Sequence, residues 1–347
     1  VTINYEQNNG NQMVDYLQNN SNVDILMIDT PNVRYADWND SYVFDQLADL
    51  KAEDVDLSAV QDEWLDVYTV DGKVVAVPMG LKLSGIVVNK TLLEKEGLSV
   101  PTNYQELLDT CEALKTAGYT PIQGPDSAVY GELAYNLAMT QLGNDDALRE
   151  ALNNGEDAAV TAMEQVLERL GELRDKGYID AAVNAEYPED NYDGAILKFF
   201  EGDVPFWVCD TEKVSGMKKR ESKSETFSAD PFDYQFVYAP MADDGVCQYV
   251  EPWFGFAVNN ESDDYDYAIE FIRFLAQEDQ LNTLASVKGV PSATKNSSDA
   301  RYTAVLEPEN VAAKYVNDGT LLNHVKTYFK QEAVSFGTGE TSTAEEA

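Results

Sequence analysis

The residue types on which most catalytic and metal sites depend are scarce in this sequence. Among 347 residues there is one histidine, His324, and there are three cysteines, Cys111, Cys209 and Cys247. The cysteines lie too far apart for a metal-binding knuckle, so we expect them to be small buried apolar residues. With no nucleophile beside His324, neither a Ser-His-Asp nor a Cys-His arrangement is indicated. We therefore expect no catalytic residue, no metal and no cofactor.

Long apolar runs and positive charge are also scarce. No stretch approaches the ~18 uninterrupted apolar residues of a membrane-spanning helix. Lys and Arg total 24 against 62 Asp and Glu, a net charge of −38. Such a surface repels nucleic-acid phosphates and anionic lipids, so we expect neither as a partner. An acidic excess of this kind is typical of a solubility requirement and identifies no ligand.

The composition is that of a folded protein with more than one domain. Hydrophobic residues make up 44% and charged residues 25% of the chain, which is ordinary for a globular protein. At roughly 100–200 residues per domain, a chain of this length predicts two domains or three.

Short apolar runs predict strands. Residues 23–28 form a run that ends at Asp29 and fits a buried parallel strand. The runs 67–70 and 73–77 flank Asp71-Gly72, which is the turn sequence of a tight hairpin. Pro78-Met79-Gly80 is expected to break the second run before a further strand at 85–88. Strands are also predicted at residues 204–208, 234–238 and 254–258.

Three segments show the apolar spacing of helices. The first begins at Thr102, which forms a capping box with Gln105, and it ends near Gly118. The second covers residues 160–173 and the third residues 267–275. Because strands and helices alternate along the chain, the sequence predicts an α/β fold.

Both ends of the sequence look like interior segments of a longer chain. It begins at Val1 inside a strand-like segment, with no visible signal peptide. Near the other end, Ser342 and Glu345 form a capping box with no helix after it. We expect a fragment cut at both ends, and a natural acidic tail is the alternative.

A series of short motifs follows a recognisable order. They are 71–78 (DGKVVAVP), 86–90 (IVVNK), 97–98 (GL), 101–107 (PTNYQEL), 118–122 (GYTPI), 199–207 (FFEGDVPFW), 252–258 (PWFGFAV), 268–275 and 289–291. In this order they resemble the motifs of extracellular solute-binding proteins of family 1, the sugar-binding components of ABC importers. The resemblance covers nearly the whole chain. The chain departs from the family pattern at Val88, Tyr104 and Phe206-Trp207, where the family has Tyr, Trp and Ala-Met.

The resemblance implies two α/β lobes of the periplasmic-binding-protein type, joined by a hinge, with the ligand in the cleft between them. The first lobe would comprise residues 1–83 and 259–291, without its opening strand and helix. The second would comprise residues 84–258 and 292–347, with its last helix truncated. The resemblance also implies a monomeric, non-enzymatic protein that captures a carbohydrate, which we expect to be an oligosaccharide, for the permease subunits of an ABC importer. Its location would be extracellular, anchored by an N-terminal lipid, or periplasmic.

The polar candidates for the ligand site lie at strand ends and strand boundaries. Ligands of open α/β sheets bind at the carboxyl ends of strands. We therefore expect contacts from Asp29, Lys82, Asp210, Glu212 and Glu251, because each follows or bounds a predicted strand. Tyr130 and Glu132, in a loop after Pro121-Ile122, are further candidates.

The aromatic candidates are Trp253 and Trp38. A sugar has an apolar ring face, which an indole covers, and a hydroxyl rim, which carboxylates bind through charge-assisted hydrogen bonds. For Trp253 the alternative is core packing, and for Trp38 it is packing within its own loop. Trp207 and Trp64 are expected to be structural.

Two other functions stay open at this point. A secreted glycoside hydrolase could draw on the abundant carboxylates, although no particular pair is indicated. A calcium-binding adhesion module is suggested by Glu189, Asn191 and Asp193, which begin like an EF-hand loop. That loop would lack its bidentate ligand, because its twelfth position is Phe200.

One basic cluster interrupts the acidic sequence. It consists of Lys218, Lys219 and Arg220, with Lys223 nearby. We expect a solvated loop there, and docking to another protein is the alternative.

Overall fold

The computed structural model describes residues 23–28, 43–187, 191–297, 302–306, 308, 310–316, 320–341 and 343–344. The predicted site residues Asp29 and Trp38 lie outside these ranges, as does the capping box at Ser342 and Glu345. No helix within the described ranges combines the length and the apolar character needed to cross a membrane.

The strands form one mixed sheet and a separate hairpin. In the sheet, β1, β8, β4, β6 and β5 are neighbours in that order, with β7 beside β4 and β9 beside β8, while β2 and β3 pair with each other. The strands are β1 (Ile25–Ile28), β2 (Thr69–Val70), β3 (Lys73–Val74), β4 (Val77–Asn89), β5 (Ile122–Gln123), β6 (Phe206–Asp210), β7 (Tyr234–Val237), β8 (Val246–Val258) and β9 (Val311–Val316).

Helices alternate with these strands, so the predicted α/β class is confirmed. They are α1 (Asp62–Val67), α2 (Lys90–Lys95), α3 (Tyr104–Thr116), α4 (Leu133–Leu142), α5 (Asp146–Asn154), α6 (Asp157–Asp175), α7 (Ala181–Asn184), α8 (Tyr192–Phe199), α9 (Thr211–Glu221), α10 (Glu225–Ala229), α11 (Tyr265–Leu275), α12 (Glu278–Lys288), α13 (Thr303–Leu306) and α14 (Asn323–Thr338). A 3-10 helix covers Val43–Gln46, and a π-helical turn, Ser127–Glu132, leads directly into α4.

Local sequence signals explain two of these elements. The hairpin between β2 and β3 turns at Asp71 and Gly72, whose φ values of 50° and 81° match the left-handed conformation that an Asp-Gly turn adopts. The predicted cap of α3 is displaced by one residue. Asn103 caps this helix by accepting a hydrogen bond from the Glu106 amide at 2.9 Å. Thr102 instead donates to the Glu106 carboxylate from its amide and its hydroxyl.

The predicted break at Pro78-Met79-Gly80 is wrong, because β4 runs through these residues. The pairing with β8 passes from Pro78 opposite Gly255 to Gly80 opposite Trp253. Between Trp253 and Gly255, Phe254 has a φ of 51°, a left-handed conformation that bulky residues rarely adopt. A proline is tolerated in a strand beside such an irregularity.

The partner of β4 changes in the middle of the strand. Residues from Val77 to Leu83 pair with β8, whereas the residues from Ser84 onward pair with β6 and β7. At the change, the Leu83 amide donates to the hydroxyl of Thr211 at 3.1 Å. The change lies at the predicted 83/84 lobe boundary. Residues 250–258 of β8 pair with β4 and β1, and the full division into lobes stays a prediction.

The cysteines and two of the tryptophans lie in the core. Cys111, Cys209 and Cys247 are free and buried, as predicted. Trp207 and Trp64 are also buried, which confirms the expected structural role. Burial raises the pKa of all three thiols, and that of Cys247 to about 12. The thiols are therefore protonated at neutral pH and do not serve as nucleophiles.

Candidate functional site

Four of the predicted site residues converge on the middle of β4. Lys82 lies directly opposite Glu251 in the ladder between β4 and β8. The Lys82 Nζ atom is 3.5 Å from Asp210 Oδ2 and 3.7 Å from Glu212 Oε2. Residue 82, residues 210 and 212, and residue 251 come from three distant parts of the sequence, and the pairing of β4 with both β6 and β8 brings them together.

The junction between β6 and α9 positions the two carboxylates beside Lys82. Asp210 ends β6 and caps α9 by accepting a hydrogen bond from the Lys213 amide at 3.0 Å. Thr211 is fully buried, and its hydroxyl accepts from the Leu83 amide of β4. Glu212 lies in the first turn of α9, where the positive end of the helix dipole stabilises a negative charge.

Lys82 is held in its charged form. Burial acts to lower its pKa, but the nearby carboxylates of Asp210, Glu251, Glu212 and Glu132 together raise it above the usual lysine value. Opposite charges at short range favour the ionised form of a group that burial alone would neutralise. The Lys82 ammonium is therefore a permanent hydrogen-bond donor at the centre of this cluster.

Glu251 is connected to the last helix, α14. The Tyr249 hydroxyl donates to Glu251 Oε2 at 2.9 Å, and Lys326 Nζ lies 3.6 Å from the same oxygen. Lys326 also donates to the Tyr249 hydroxyl at 3.1 Å. Tyr249 and Glu251 are two residues apart on β8, so their side chains point to the same face of the strand.

A second ion pair lies beside the first. Lys330 donates to Glu132 Oε1 at 2.6 Å, and the Ser84 hydroxyl lies 3.5 Å from Glu132 Oε2. Asn136 donates from its amide nitrogen to Ser84 at 3.0 Å. The Asn136 Oδ1 atom is buried and accepts no hydrogen bond from the described residues. It is an open acceptor beside the ion pair.

The second pair consists of a carboxylate and an ammonium group in close contact. Burial raises the pKa of Glu132, but the cations Lys330, Lys326 and Lys82 outweigh burial and lower it. Burial also lowers the pKa of Lys330, and Glu132 opposes this effect only in part. At 2.6 Å the two groups form a charge-assisted hydrogen bond, so we assign Glu132 as a carboxylate and Lys330 as an ammonium at neutral pH.

Sequence reasoning missed several members of this polar cluster. They are Ser84, Asn136, Tyr249, Lys326 and Lys330. A signal was present in the spacing, because Glu132 and Asn136 are four residues apart, as are Lys326 and Lys330. Helical residues at that spacing share one face. Nothing in the sequence indicated that α14 brings Lys326 to Glu251 of β8 and Lys330 to Glu132.

The cluster presents charged hydrogen-bond donors and acceptors. It contains the ammonium groups of Lys82, Lys326 and Lys330 and the carboxylates of Asp210, Glu212, Glu251 and Glu132. These charges interleave, so the cluster presents both donors and acceptors with little net charge. Nowhere in the described ranges do three or more histidine, cysteine or carboxylate side chains converge as a metal site would require.

Trp253 lies next to the cluster but is largely enclosed. It packs with Met79, Ala285 and Val290 and is 6% exposed. The ammonium of Lys288 lies 5.1 Å from its ring centre. The Phe254 ring is 4.8 Å from the Trp253 ring, although neighbouring side chains of a regular strand point to opposite faces. The positive φ of Phe254 accounts for this, and the role of Trp253 as a ligand platform stays a prediction.

Tyr130 lies in the π-helical turn before α4. It is 1% exposed and belongs to the larger apolar core. Its ring packs so tightly against α14 that a methyl group on Gly337 would overlap it. Its contact with a ligand also stays a prediction.

The basic cluster and the EF-hand-like motif are parts of one helix pair. Asn191 caps α8, and residues Tyr192–Phe199 are helical, so the segment does not form a calcium loop. Asp193 forms ion pairs with Arg220 and Lys223, which lie at and beyond the end of α9. Lysines and arginines near the end of a helix are also favoured by its dipole. The cluster thus stabilises the pairing of α8 with α9.

Solved structures share this fold. A sugar transporter protein from Bacillus licheniformis, in complex with stachyose, superposes with a TM-score of 0.68 at 19% identity, covering 96% of this chain and 84% of that one. RafE in complex with raffinose gives 0.63 at 16% identity, covering 90% and 84%. A secreted solute-binding lipoprotein described as probable, from Streptomyces coelicolor, gives 0.68 at 16% identity, covering 95% and 87%. The predicted fold type is therefore confirmed.

Sequence comparisons agree with the structural ones. The multiple sugar-binding protein of Streptococcus mutans is 24% identical over 160 residues, which is 44% of this chain and only 37% of that relative. Residues 1–314 match the family described as bacterial extracellular solute-binding protein. Its members bind solutes and are not enzymes, so the prediction of a non-enzymatic protein is confirmed. Because the match covers most of the 347 residues, the chain belongs to the bacterial extracellular solute-binding proteins, as the resemblance of its motifs predicted.

Proposed function

We propose that this protein captures a carbohydrate outside the cell and presents it to an ABC importer. The observation that carries the proposal is the convergence of Lys82, Asp210, Glu212 and Glu251 where β4 changes its partner strand. Two proteins with a similar fold have stachyose and raffinose bound, which favours an oligosaccharide as the ligand.

The ligand would lie between two lobes that meet at this point. Binding pockets often lie at domain interfaces. We place the first crossing between the lobes at Leu83 and Ser84, and a second in β8, whose residues pair with β9 at one end and with β4 and β1 further along. A change in the backbone angles of two strands is enough for hinge closure around a ligand.

The charges of the cluster suit an uncharged ligand rich in hydroxyl groups. Every ammonium group lies near a carboxylate, so a charged ligand would have to break an existing pair. A sugar hydroxyl can donate to a carboxylate and accept from an ammonium at the same time.

Aromatic contacts would supply the remaining affinity. A micromolar complex needs about −8 kcal/mol, and covering ~100–150 Å² of apolar area on one indole contributes roughly 2.5–4 kcal/mol. Trp253 and Trp38 are the proposed platforms. Because Trp253 is 6% exposed, it can serve only if its contacts with Met79 and Val290 open before the ligand enters. The half-buried Phe254 ring beside it would then share the contact.

The remaining proposals concern location and partners. We propose that the protein is monomeric and that permease subunits of an ABC importer receive the ligand. We further propose that it is held at the outer membrane surface by an N-terminal lipid, or that it is periplasmic. The family's extracellular location supports this proposal, as does the fold shared with a secreted solute-binding lipoprotein.

The test is ligand-dependent thermal stabilisation. A panel of mono- and oligosaccharides that includes raffinose and stachyose would be screened for a shift in melting temperature. At ~100 times its Kd, a true ligand should add about 2.7 kcal/mol to the free energy of unfolding. We expect Lys82→Met, Asp210→Asn and Glu251→Gln each to reduce the affinity for the sugar at least tenfold.

A matched control separates binding from general charge effects. Lys295 forms a surface ion pair with Asp62 at 3.6 Å and, in the described part of the chain, forms no ion pair with any residue of the cluster, so Lys295→Met should leave the affinity unchanged. The absence of a melting shift across the whole panel would overturn the carbohydrate assignment. Equal affinity of the Lys82→Met variant and the wild type would overturn the placement of the site.

A further inference from the structure

Helix α11 carries a stripe of large aromatic side chains on its outer face. Tyr267, Phe271 and Phe274 are 78%, 39% and 50% exposed. They are spaced by four and then three residues, so they lie in one row along the helix. The opposite face of the helix is packed into the core through Ala268, Ile269, Ile272 and Leu275.

The three rings of this aromatic stripe do not belong to the buried core. Single exposed apolar residues are ordinary, and Tyr328 on α14, 62% exposed, is an example. Three aromatic rings in one row form a contiguous patch, which in soluble proteins marks a contact surface. Aromatic residues are also the types that contribute most strongly to binding energy at interfaces.

The chemistry of the partner follows from the residues around the stripe. Asp263, Asp266 and Glu270 are exposed next to it. The single basic residue of α11, Arg273, is engaged by Glu270 and by the backbone carbonyl of Glu53. The patch therefore has an apolar centre and a negative rim, which is complementary to an apolar ridge flanked by Lys and Arg. Such cations also bind the faces of aromatic rings.

Two other occupants are disfavoured by charge. A second copy of the chain would bring another net charge of −38 and the same acidic rim against the first. An anionic membrane surface would be repelled in the same way.

We infer that the outer face of α11 is a docking surface for a basic, amphipathic segment of another protein. Tyr267, Phe271 and Phe274 form its apolar centre, and Asp263, Asp266 and Glu270 form its acidic rim. The surface lies on the face of α11 that points away from the core, and the inference does not depend on the identity of the solute.

The test uses the whole chain and two synthetic helical peptides. The first carries leucines at positions i, i+4 and i+7 with flanking lysines, and the second has the same lysines but serines in place of the leucines. Calorimetry should show binding of the first peptide, at least tenfold weaker binding of the second, and weakening of both by salt. The double variant Tyr267→Ser/Phe274→Ser should lose at least tenfold in affinity for the first peptide.

The control variant is Tyr328→Ser, which removes an exposed aromatic ring from another helix and should bind like the wild type. Circular dichroism and the melting temperature establish that each variant is folded, since the substituted rings are exposed. Equal binding of the two peptides, or equal binding by the wild type and the double variant, would overturn the inference. The inference would also be overturned if the wild type sedimented as a dimer and the double variant as a monomer. Binding of the wild type, but not of the double variant, to anionic vesicles would overturn it as well.

Discussion

Lys82 and Glu251 face each other across the ladder between β4 and β8, yet their shortest ion pairs lead to different parts of the fold. Lys82 is paired with Asp210 and Glu212 at the start of α9, while Glu251 is paired with Lys326 of α14. The two opposed residues thus connect the central strands to two helices. A ligand that binds between Lys82 and Glu251 would therefore be coupled to the positions of both helices.

The buried hydroxyl of Thr211 should be important for stability. It accepts from the Leu83 amide at 3.1 Å where β4 changes partner, and a substitution would leave that amide unpaired. We expect Thr211→Val to lower the free energy of unfolding in urea by about 1–3 kcal/mol. Thr283→Val, at an exposed position on α12, should change it by less than about 0.5 kcal/mol. Equal effects of the two substitutions would contradict this role.

The contact between Gly337 and Tyr130 should tolerate no added volume. A methyl group at Gly337 would overlap the Tyr130 ring, so Gly337→Ala should cost about 1–3 kcal/mol through overpacking. At Gly131 the nearest atom to an added methyl group is 3.4 Å away, so Gly131→Ala is the matched control and should be nearly neutral. Tyr130→Ala should reduce the cost of Gly337→Ala, and a double-mutant cycle in urea measures the coupling. Strict additivity would show that the two residues do not clash.

Stability at acid pH should depend on Glu132. Its pKa is lowered in the folded state from the usual value of 4.5, because three lysines outweigh burial. A carboxylate with a lowered folded pKa contributes stability above its unfolded pKa and loses that contribution as the pH falls through the folded value. The difference in unfolding free energy between the wild type and Glu132→Gln should therefore shrink between pH 7 and pH 3. Glu94→Gln, at an exposed position, is the control. If the difference in unfolding free energy for Glu132→Gln changes with pH no more than the difference for Glu94→Gln, the stabilising role of the ion pair with Lys330 is contradicted.

The three thiols should report on unfolding. All are buried, and burial raises their pKa values, so very little thiolate is present at pH 8. We expect a disulfide reagent such as Ellman's reagent to react with the native protein far more slowly than with glutathione. In concentrated urea all three cysteines should react rapidly. Fast reaction of one thiol in the native protein would show that its surroundings open locally.

Some site residues were predictable because their position depends on local sequence. Asp210 and Glu212 follow a recognisable apolar strand, so the strand end was visible in the sequence, whereas the helix α9 that begins there was not predicted. Lys82 was predicted as a site residue because it follows a strand, although that strand was expected to break at Pro78. The break does not occur, because Pro78 pairs opposite Gly255 of β8, next to the irregularity at Phe254, and that partner strand is not close in sequence.

Other site residues could not be predicted, because packing alone gives them a role. Lys326 and Lys330 are ordinary helical lysines in the sequence. They belong to the polar cluster because α14 brings them to the buried Glu251 and the half-buried Glu132. For Trp253 the sequence was misleading in the opposite direction. Its strand and its neighbours in the sequence favoured an exposed side chain, but in the folded protein α12 packs against it.

The sequence alone determined the α/β class, the cap of α3 within one residue and the family. These properties follow from composition, apolar periodicity and short-range motifs. The tertiary structure alone decided which charges meet, because an ion pair depends on distances between residues that are far apart in the sequence, such as Glu132 and Lys330, which are 198 positions apart. It also decided which aromatic rings are buried and which are exposed, since burial is a property of the neighbours that other parts of the chain supply.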